Sequence, residues 1–462
     1  MTDPVKLDAR LQSIVKAYDV RGLSPEQLDP SVARALGEAF ATETGIAGTA
    51  SGPGRAVIGH DMRETSPLLA AAFADGIRSR GGDVVMIGLA STDLLYFMSG
   101  DLDVPGAMIT ASHNPAAYNG IKLCRAGARP IGFDTGLSAM AATASDLLAR
   151  AVPLAEPAGS LAEFDGLARY AEYLHEIVPV PARRRLKVVA DAGNGMAGHT
   201  VPRVFADLEV DLDAMYFELD GSFPNHDANP LDPTTLVDLQ ARVRETGADI
   251  GLAFDGDADR CFVVDERGEP VSPSAITALI AARALAAQPG ATILHNVICS
   301  RTVPEVVAEH GGVAVRTPVG HSLIKAEMAR TGAVFGGEHS GHFYFKDFFL
   351  ADSGMIAALH VMAALAETDG TVSELMAQYE RYPASGEINS TVDDGHAVMD
   401  TLSERYAGLA QDRLDGLTVT ADTWWFNVRA SNTEPLLRLN VEADDTATME
   451  RIRDEVLAII RS

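Results

Sequence analysis

The sequence predicts an α/β protein: three related units with mixed sheets, followed by a smaller α+β unit. Three observations carry this reading. The chain has 462 residues, more than one hydrophobic core usually organises. Apolar runs of strand length alternate with amphipathic runs of helix length from residue 56 to residue 367, and such βαβ alternation favours parallel or mixed sheets with helices on their faces. From residue 387 the alternation gives way to strand-like runs and one closing helix.

In the first unit, residues 56–59, 83–87 and 104–109 read as strands and 67–80 as a helix. Residues 151–159, rich in Ala, Pro and Gly, read as a linker. The second unit opens with a strand at 186–190 that runs into Asp191-Ala192-Gly193-Asn194-Gly195. A helix follows, then a strand at 212–217, a helix at 233–245 and a strand at 249–254. The third unit has helices at 274–287, at 303–309 and from near His321, with strands at 292–295 and 313–315. The last unit has strands at 387–392, 417–420, 424–429 and 436–441 and a helix at 446–460. The expected domain limits are 1–155, 156–260, 261–370 and 371–462.

Composition narrows the function classes. The chain is 47% hydrophobic and 22% charged, as ordinary globular proteins are. Its net charge of −27 opposes a general nucleic-acid binder, whose footprint is basic. An acidic surface serves solubility, but an anionic substrate would need positive charge gathered locally. The first sixteen residues mix acids and bases around no apolar segment, so no secretory signal is expected. The apolar stretches 275–287 and 355–366 are interrupted by Arg283 and His360. Both fall short of the roughly 20 residues a bilayer needs, so no membrane partner is expected. Cys124, Cys261 and Cys299 lack metal-ligand spacing and make no disulfide framework, which suits a cytoplasmic location.

Four loops carry chemistry. Thr110-Ala111-Ser112-His113-Asn114-Pro115 leaves an apolar strand and precedes Asn119-Gly120-Ile121-Lys122. Ser112 is a weak nucleophile unless activated, and His113 and Lys122 are candidate helpers. The same residues also suit a plain turn in which Ser112 and Asn114 bond their own backbone. Asp255-Gly256-Asp257-Ala258-Asp259-Arg260 ends another strand. Its three alternating carboxylates repel unless a cation sits among them, and hard oxygen ligands suit Mg²⁺ or Ca²⁺. An EF-hand fails because Arg260 stands where that loop needs glycine, so Mg²⁺ fits better. Gly336-Gly337-Glu338-His339-Ser340-Gly341-His342 lets a ligand approach the backbone, with Glu338 and Ser340 as partners for sugar hydroxyls. His342, or His321 in Gly320-His321-Ser322-Leu323-Ile324-Lys325, adds charge near a phosphate; lone histidines are also common structural residues. Arg429-Ala430-Ser431-Asn432-Thr433-Glu434-Pro435 offers a guanidinium, hydroxyls, an amide and backbone N–H groups that suit a phosphate dianion.

These four loops, in this order, resemble the signature loops of the α-D-phosphohexomutase superfamily. Tyr18-Asp19-Val20-Arg21-Gly22 and residues 191–195 resemble further motifs of that family. The resemblance covers essentially the whole chain and is nearest to the bacterial phosphomannomutase/phosphoglucomutase group, on Glu338-His339-Ser340-Gly341-His342-Phe343-Tyr344-Phe345. Phosphoglucosamine mutases share Glu, Ser, Gly and His in that loop. Ala258, at a position often glycine, and His339, at a variable one, depart from common members.

The resemblance implies four domains around a central cleft. It implies an isomerase that interconverts mannose 6-phosphate and mannose 1-phosphate, with glucose phosphates as further candidate substrates, through phosphorylated Ser112 and a hexose 1,6-bisphosphate that also acts as activator. Mg²⁺ would be held by Ser112, Asp255, Asp257 and Asp259. Arg260 and Lys122 would stabilise the transferring group, with Lys122 and His321 as candidate bases. Tyr18, Arg21, Lys325, Glu338, Ser340, His342, Arg429, Ser431, Asn432 and Thr433 would bind hexose phosphate. The protein would be a monomer or dimer.

Overall fold

The computed structural model describes residues 8–47, 54–150, 158–430 and 436–462, with backbone only at 321 and 322. The chain divides into two compact units, Met1–Pro270 with Gly341–Val372, and Val271–Ser340 with Ser373–Ser462.

The first unit holds two mixed sheets. In one, the order is Val20–Leu23, Tyr118–Arg125, Gly106–Ile109, Arg55–His60, Asp83–Leu89 and Leu161–Glu163. Arg55–His60 runs parallel to both Gly106–Ile109 and Asp83–Leu89, while Tyr118–Arg125 returns antiparallel. Helix Pro30–Glu43 starts where Asp29 accepts from Val32 N, with proline in the first turn. It packs on helix Ser66–Ser79, and Phe40 and Phe73 meet at 5.5 Å in the shared core. The other sheet has Leu186–Asp191 between parallel neighbours Val210–Met215 and Ile250–Phe254, with Cys261–Val264 antiparallel beyond. Strands Gly106–Ile109 and Ile250–Phe254 are buried throughout, and each releases a chemistry-bearing loop at its C-terminal end. That is where α/β sheets place ligands. The unit closes with hairpin Phe343–Phe345/Ala351–Asp352 and the nearly all-buried helix Gly354–Ala366.

In the second unit, Thr292–Asn296 lies between parallel strands Val313–Thr317 and Phe335–Gly337. Helices Pro273–Ala287, Thr302–Glu309 and His321–Thr331 accompany them. A separate antiparallel sheet has the order Ile388–Thr391, Leu436–Ala443, Trp424–Ala430, Leu417–Thr420 and Ala410–Asp412. Phe426, Val428, Leu437, Leu439 and Val441 pack with Leu402, Ile452 and Val456 of helices Gly395–Arg405 and Thr446–Ile460. The period of two therefore turns Trp425, Asn427 and Arg429, with cross-strand partners Glu442, Asn440 and Arg438, to the other face.

Several elements differ from expectation. The helix expected at 233–245 is a 3₁₀ turn, Pro233–Leu236, followed by helix Val237–Thr246. Helix Thr92–Asp101 was not expected, because it is buried nearly all round and has no polar stripe to mark it. Most of the linker expected at 151–159 lies outside the described residues. Its end is anchored, with Ala158 N and Gly159 N both donating to Arg78 O at 3.0 Å. No described helix is long and apolar enough to cross a membrane.

Candidate active site

Ser112 and the acidic turn meet. Ser112 leaves its strand in a left-handed conformation, φ +52°, and its N–H is accepted by Thr110 Oγ1 at 2.9 Å. This turns Ser112 Oγ toward Asp255 Oδ2, to which it donates at 2.9 Å. His113 Nδ1 lies 3.3 Å from the same oxygen. Burial, with Arg260 and Arg21 nearby, holds His113 well below the ordinary imidazole pKa, so it is neutral beside the serine.

The acidic turn is tight because Phe254 and Cys261 pair directly across it. Ala258 takes φ +60°, which explains why glycine suits that position; alanine bears the strain here. Asp255, Asp257 and Asp259 are fully buried, and their oxygens lie within 4.8 Å of one another. Lys122 sits opposite Met108 in the neighbouring strand and donates to Asp257 Oδ2 at 2.6 Å and Asp259 Oδ2 at 2.5 Å. Burial disfavours its charge, but Asp257 and Asp259 win and hold the ammonium well above its usual pKa. Lys122 thus offsets the charge of two carboxylates in this arrangement. Arg260 Nε donates to Asp255 Oδ2 at 2.9 Å. Two cations therefore face three carboxylates, and burial, with Asp259 and Asp257, pushes Asp255 up to about 7 despite Arg260.

The triad suits a hard divalent cation. Asp257 Oδ1 and Asp259 Oδ1 are buried without a hydrogen-bond partner among the described residues, and a dry carboxylate oxygen in that state is costly. A cation held by oxygen ligands satisfies both.

The other expected residues fall in two groups. Arg21 joins the serine loop by donating to Asn114 Oδ1 at 2.6 Å, and Asp19 accepts from it at 2.6 Å. Tyr18 is half-buried just before the same strand. His342, expected to add charge near a phosphate, stands beside the acidic turn: Nδ1 is 3.1 Å from Asp352 Oδ2 and 3.7 Å from Asp259 Oδ1. In the second unit, Glu338 Oε1 accepts from Gly320 N at 3.0 Å and Asn296 Nδ2 at 3.3 Å. Ser340 is half-buried and Lys325 buried in helix His321–Thr331. Arg429 Nη2 donates to Glu387 Oε2 at 2.8 Å. The His321 side chain and residues Ser431, Asn432 and Thr433 lie outside the described residues.

Sequence reading missed two supports. Arg63 is 2% exposed, and its guanidinium donates to the carbonyls of Ser112, Asn114, Pro115 and Tyr118 at 2.6–2.9 Å and to Asp61 Oδ2 at 3.2 Å. It clamps the serine loop from below. An Asp and an Arg two residues apart at a strand exit, Asp61 and Arg63, are the available signal. Thr92 Oγ1 donates to Asp257 Oδ2 at 2.6 Å and Thr92 N to Asp257 O at 2.9 Å. Its helix start is fixed by Asp93, which accepts from Tyr170 and Ser353 hydroxyls at 2.6 Å each. The run Ser91-Thr92-Asp93 does carry a helix-start signature.

Gly256 makes the approach of the two loops possible, because a Cβ there would lie 2.4 Å from Ser112 O. Gly256→Ala should therefore leave the sheets intact but lower kcat about 100-fold by moving the acidic turn off the serine, measured in steady-state turnover. Unchanged kcat would mean that the approach is not required. Arg63→Lys, which retains charge but not five donors, should lower kcat at least about tenfold while KM stays within about threefold. A pure KM effect would contradict its role as a loop clamp.

Comparison with known proteins agrees with this architecture. Models described as phosphoglucomutase/phosphomannomutase α/β/α domains I, II and III match residues 12–145, 168–268 and 272–382, and the C-terminal domain model matches 387–459. The fold is therefore three α/β/α domains and a C-terminal domain, as expected. A protein named phosphohexose mutases from Xanthomonas campestris is 39% identical over 451 residues, covering 96% of this chain and 98% of its own. An Escherichia coli phosphomannomutase is 38% identical over 459 residues, with coverage of 96% and 98%. The crystal structure of a phosphoglucomutase/phosphomannomutase family protein from Burkholderia thailandensis superposes with a TM-score of 0.87 at 34% identity, covering 97% of each chain. The chain belongs to the phosphoglucomutase/phosphomannomutase family and is a phosphohexomutase, an isomerase.

Proposed function

We propose that this phosphohexomutase is a phosphomannomutase that stores its phosphoryl group on Ser112 and passes through a hexose 1,6-bisphosphate, with glucose phosphates as further substrates. The observation that carries the reading is the 2.9 Å contact of Ser112 Oγ with a buried three-carboxylate turn. The preference for mannose is supported by relatives named phosphomannomutase.

The residues divide the work by chemistry. Arg429 and residues 431–433 hold the phosphate already on the sugar, while Glu338 and Ser340 hydrogen-bond its hydroxyls. The free sugar hydroxyl attacks phosphorus on Ser112, so a sugar O–P bond forms as the Ser112 Oγ–P bond breaks. The proton lost by the sugar goes to a base, and Ser112 Oγ regains one. Neutral His113, 3.3 Å from that oxygen, is placed to exchange it. The bisphosphate then presents its other phosphate and returns it to Ser112. Lys122 and Arg260 keep the acidic turn compact while charge gathers on the equatorial oxygens. Asp255, Asp257 and Asp259 would hold Mg²⁺, which when bound supplies charge stabilisation for the transferring phosphoryl group. Cys124, Cys261 and Cys299 are buried and form no disulfide, which suits a cytoplasmic enzyme.

Ser112→Ala should fold normally and lose isomerisation of mannose 1-phosphate by at least about 1,000-fold. Near-normal turnover would remove Ser112 from the role. Asp257→Asn should raise the Mg²⁺ concentration giving half-maximal activity about tenfold or more; an unchanged titration would place the cation elsewhere. Side-by-side kcat/KM for mannose, glucose and glucosamine phosphates tests the sugar preference, and release of inorganic phosphate in place of an isomer would mark a phosphatase.

A further inference from the structure

On the face of the C-terminal sheet turned away from its helices, Arg429 and Arg438 are direct cross-strand partners. Like charges at opposed positions destabilise a sheet unless an anion lies between them. Here the anion is Glu387, just before the edge strand Ile388–Thr391. Its Oε2 accepts from Arg429 Nη2 at 2.8 Å, and its Oε1 lies 3.5 Å from Arg438 Nη1. One carboxylate is shared by two guanidinia, so among the described residues the cluster has a surplus positive charge. Arg429 Nε and Arg438 Nε are both buried without a hydrogen-bond partner among the described residues. Donor capacity and charge are thus both in excess at the residue assigned above to the substrate phosphate.

We propose that Arg438 and Glu387 set the charge Arg429 presents to the substrate phosphate, Arg438 by offsetting the carboxylate that holds Arg429 in place. This rests on the reading of Arg429 as a phosphate ligand. Without Arg438, Glu387 faces Arg429 alone, and the pair is neutral. An arriving dianion then meets an already satisfied guanidinium and a nearby carboxylate. With Arg438 present, Glu387 orients Arg429 without cancelling it. Arg438 lies outside the loop of residues 429–433 and acts through Glu387, so it is a positioning residue.

The test uses the full-length enzyme, with mannose 1-phosphate as substrate and inorganic phosphate as competing anion. Arg438→Met keeps the aliphatic stem and removes the charge. It should raise KM and the phosphate Ki about tenfold, with kcat within about threefold of the parent. Adding Glu387→Gln to that variant should bring both constants back to within about threefold, because the uncompensated carboxylate is gone. Glu387→Gln alone should tighten inorganic phosphate about threefold; unchanged or weaker binding contradicts the proposal, even if Arg438→Met does not fold. Arg429→Ala separates the two readings. If it leaves KM unchanged, the assignment of Arg429 to phosphate fails. If it raises KM while Arg438→Met does not, or if the double variant binds as weakly as Arg438→Met, only this inference is overturned.

Discussion

The structure depends on one electrostatic constraint: three carboxylates buried in a five-residue turn cannot stay ionised beside a serine hydroxyl without positive charge. Asp255, Asp257 and Asp259 have no bulk water to screen them. Lys122 and Arg260 supply two charges through short contacts, which leaves a negative remainder and two unpartnered oxygens. A divalent cation held by these carboxylates would offset that remainder and would supply positive charge beside Ser112 Oγ. In a protein of net charge −27, that cation would be the local source of positive charge that an anionic substrate needs.

The surrounding fold holds this turn against the serine. A parallel core in each sheet of the first unit delivers one loop, and an antiparallel neighbour beside each delivers the counter-charges: Tyr118–Arg125 carries Lys122, and Cys261–Val264 begins next to Arg260. Arg63 fixes the serine loop through its carbonyls, and Thr92 fixes Asp257 through side chain and backbone. Each of these supports is itself buried and bonded, so the site is set before substrate arrives rather than assembled by it. The arginine proposed to bind phosphate is held differently. Arg429 donates to Glu387, a carboxylate that Arg438 also approaches.

Much of this was legible in the sequence because the chemistry is local. A serine at a strand exit, and three acids at alternating positions before Arg260, each lie within one short loop, and it is their combination that points to the chemistry. The strands that carry them were placed to within a few residues, since short apolar runs bounded by polar turns are strong signals. What was not legible is long-range. Lys122 reads as a companion of the serine by spacing, yet it is tied to acids 135 and 137 residues away. Arg63 and Thr92 act on loops they do not adjoin in sequence, and helix Thr92–Asp101 hides because burial on all sides erases its periodicity. His342 follows Glu338 and Ser340 closely in sequence, and only the structure shows it against Asp259 and Asp352.

The most direct test of the central claim is mass spectrometry of the purified protein, with the modified peptide sequenced, before and after brief exposure to isotopically labelled hexose 1,6-bisphosphate with and without Mg²⁺. The account predicts one phosphoryl group, on Ser112, that exchanges label only when Mg²⁺ is present. A protein that turns over sugar phosphate while Ser112 never carries phosphate, or that exchanges label equally well in chelator, would contradict it.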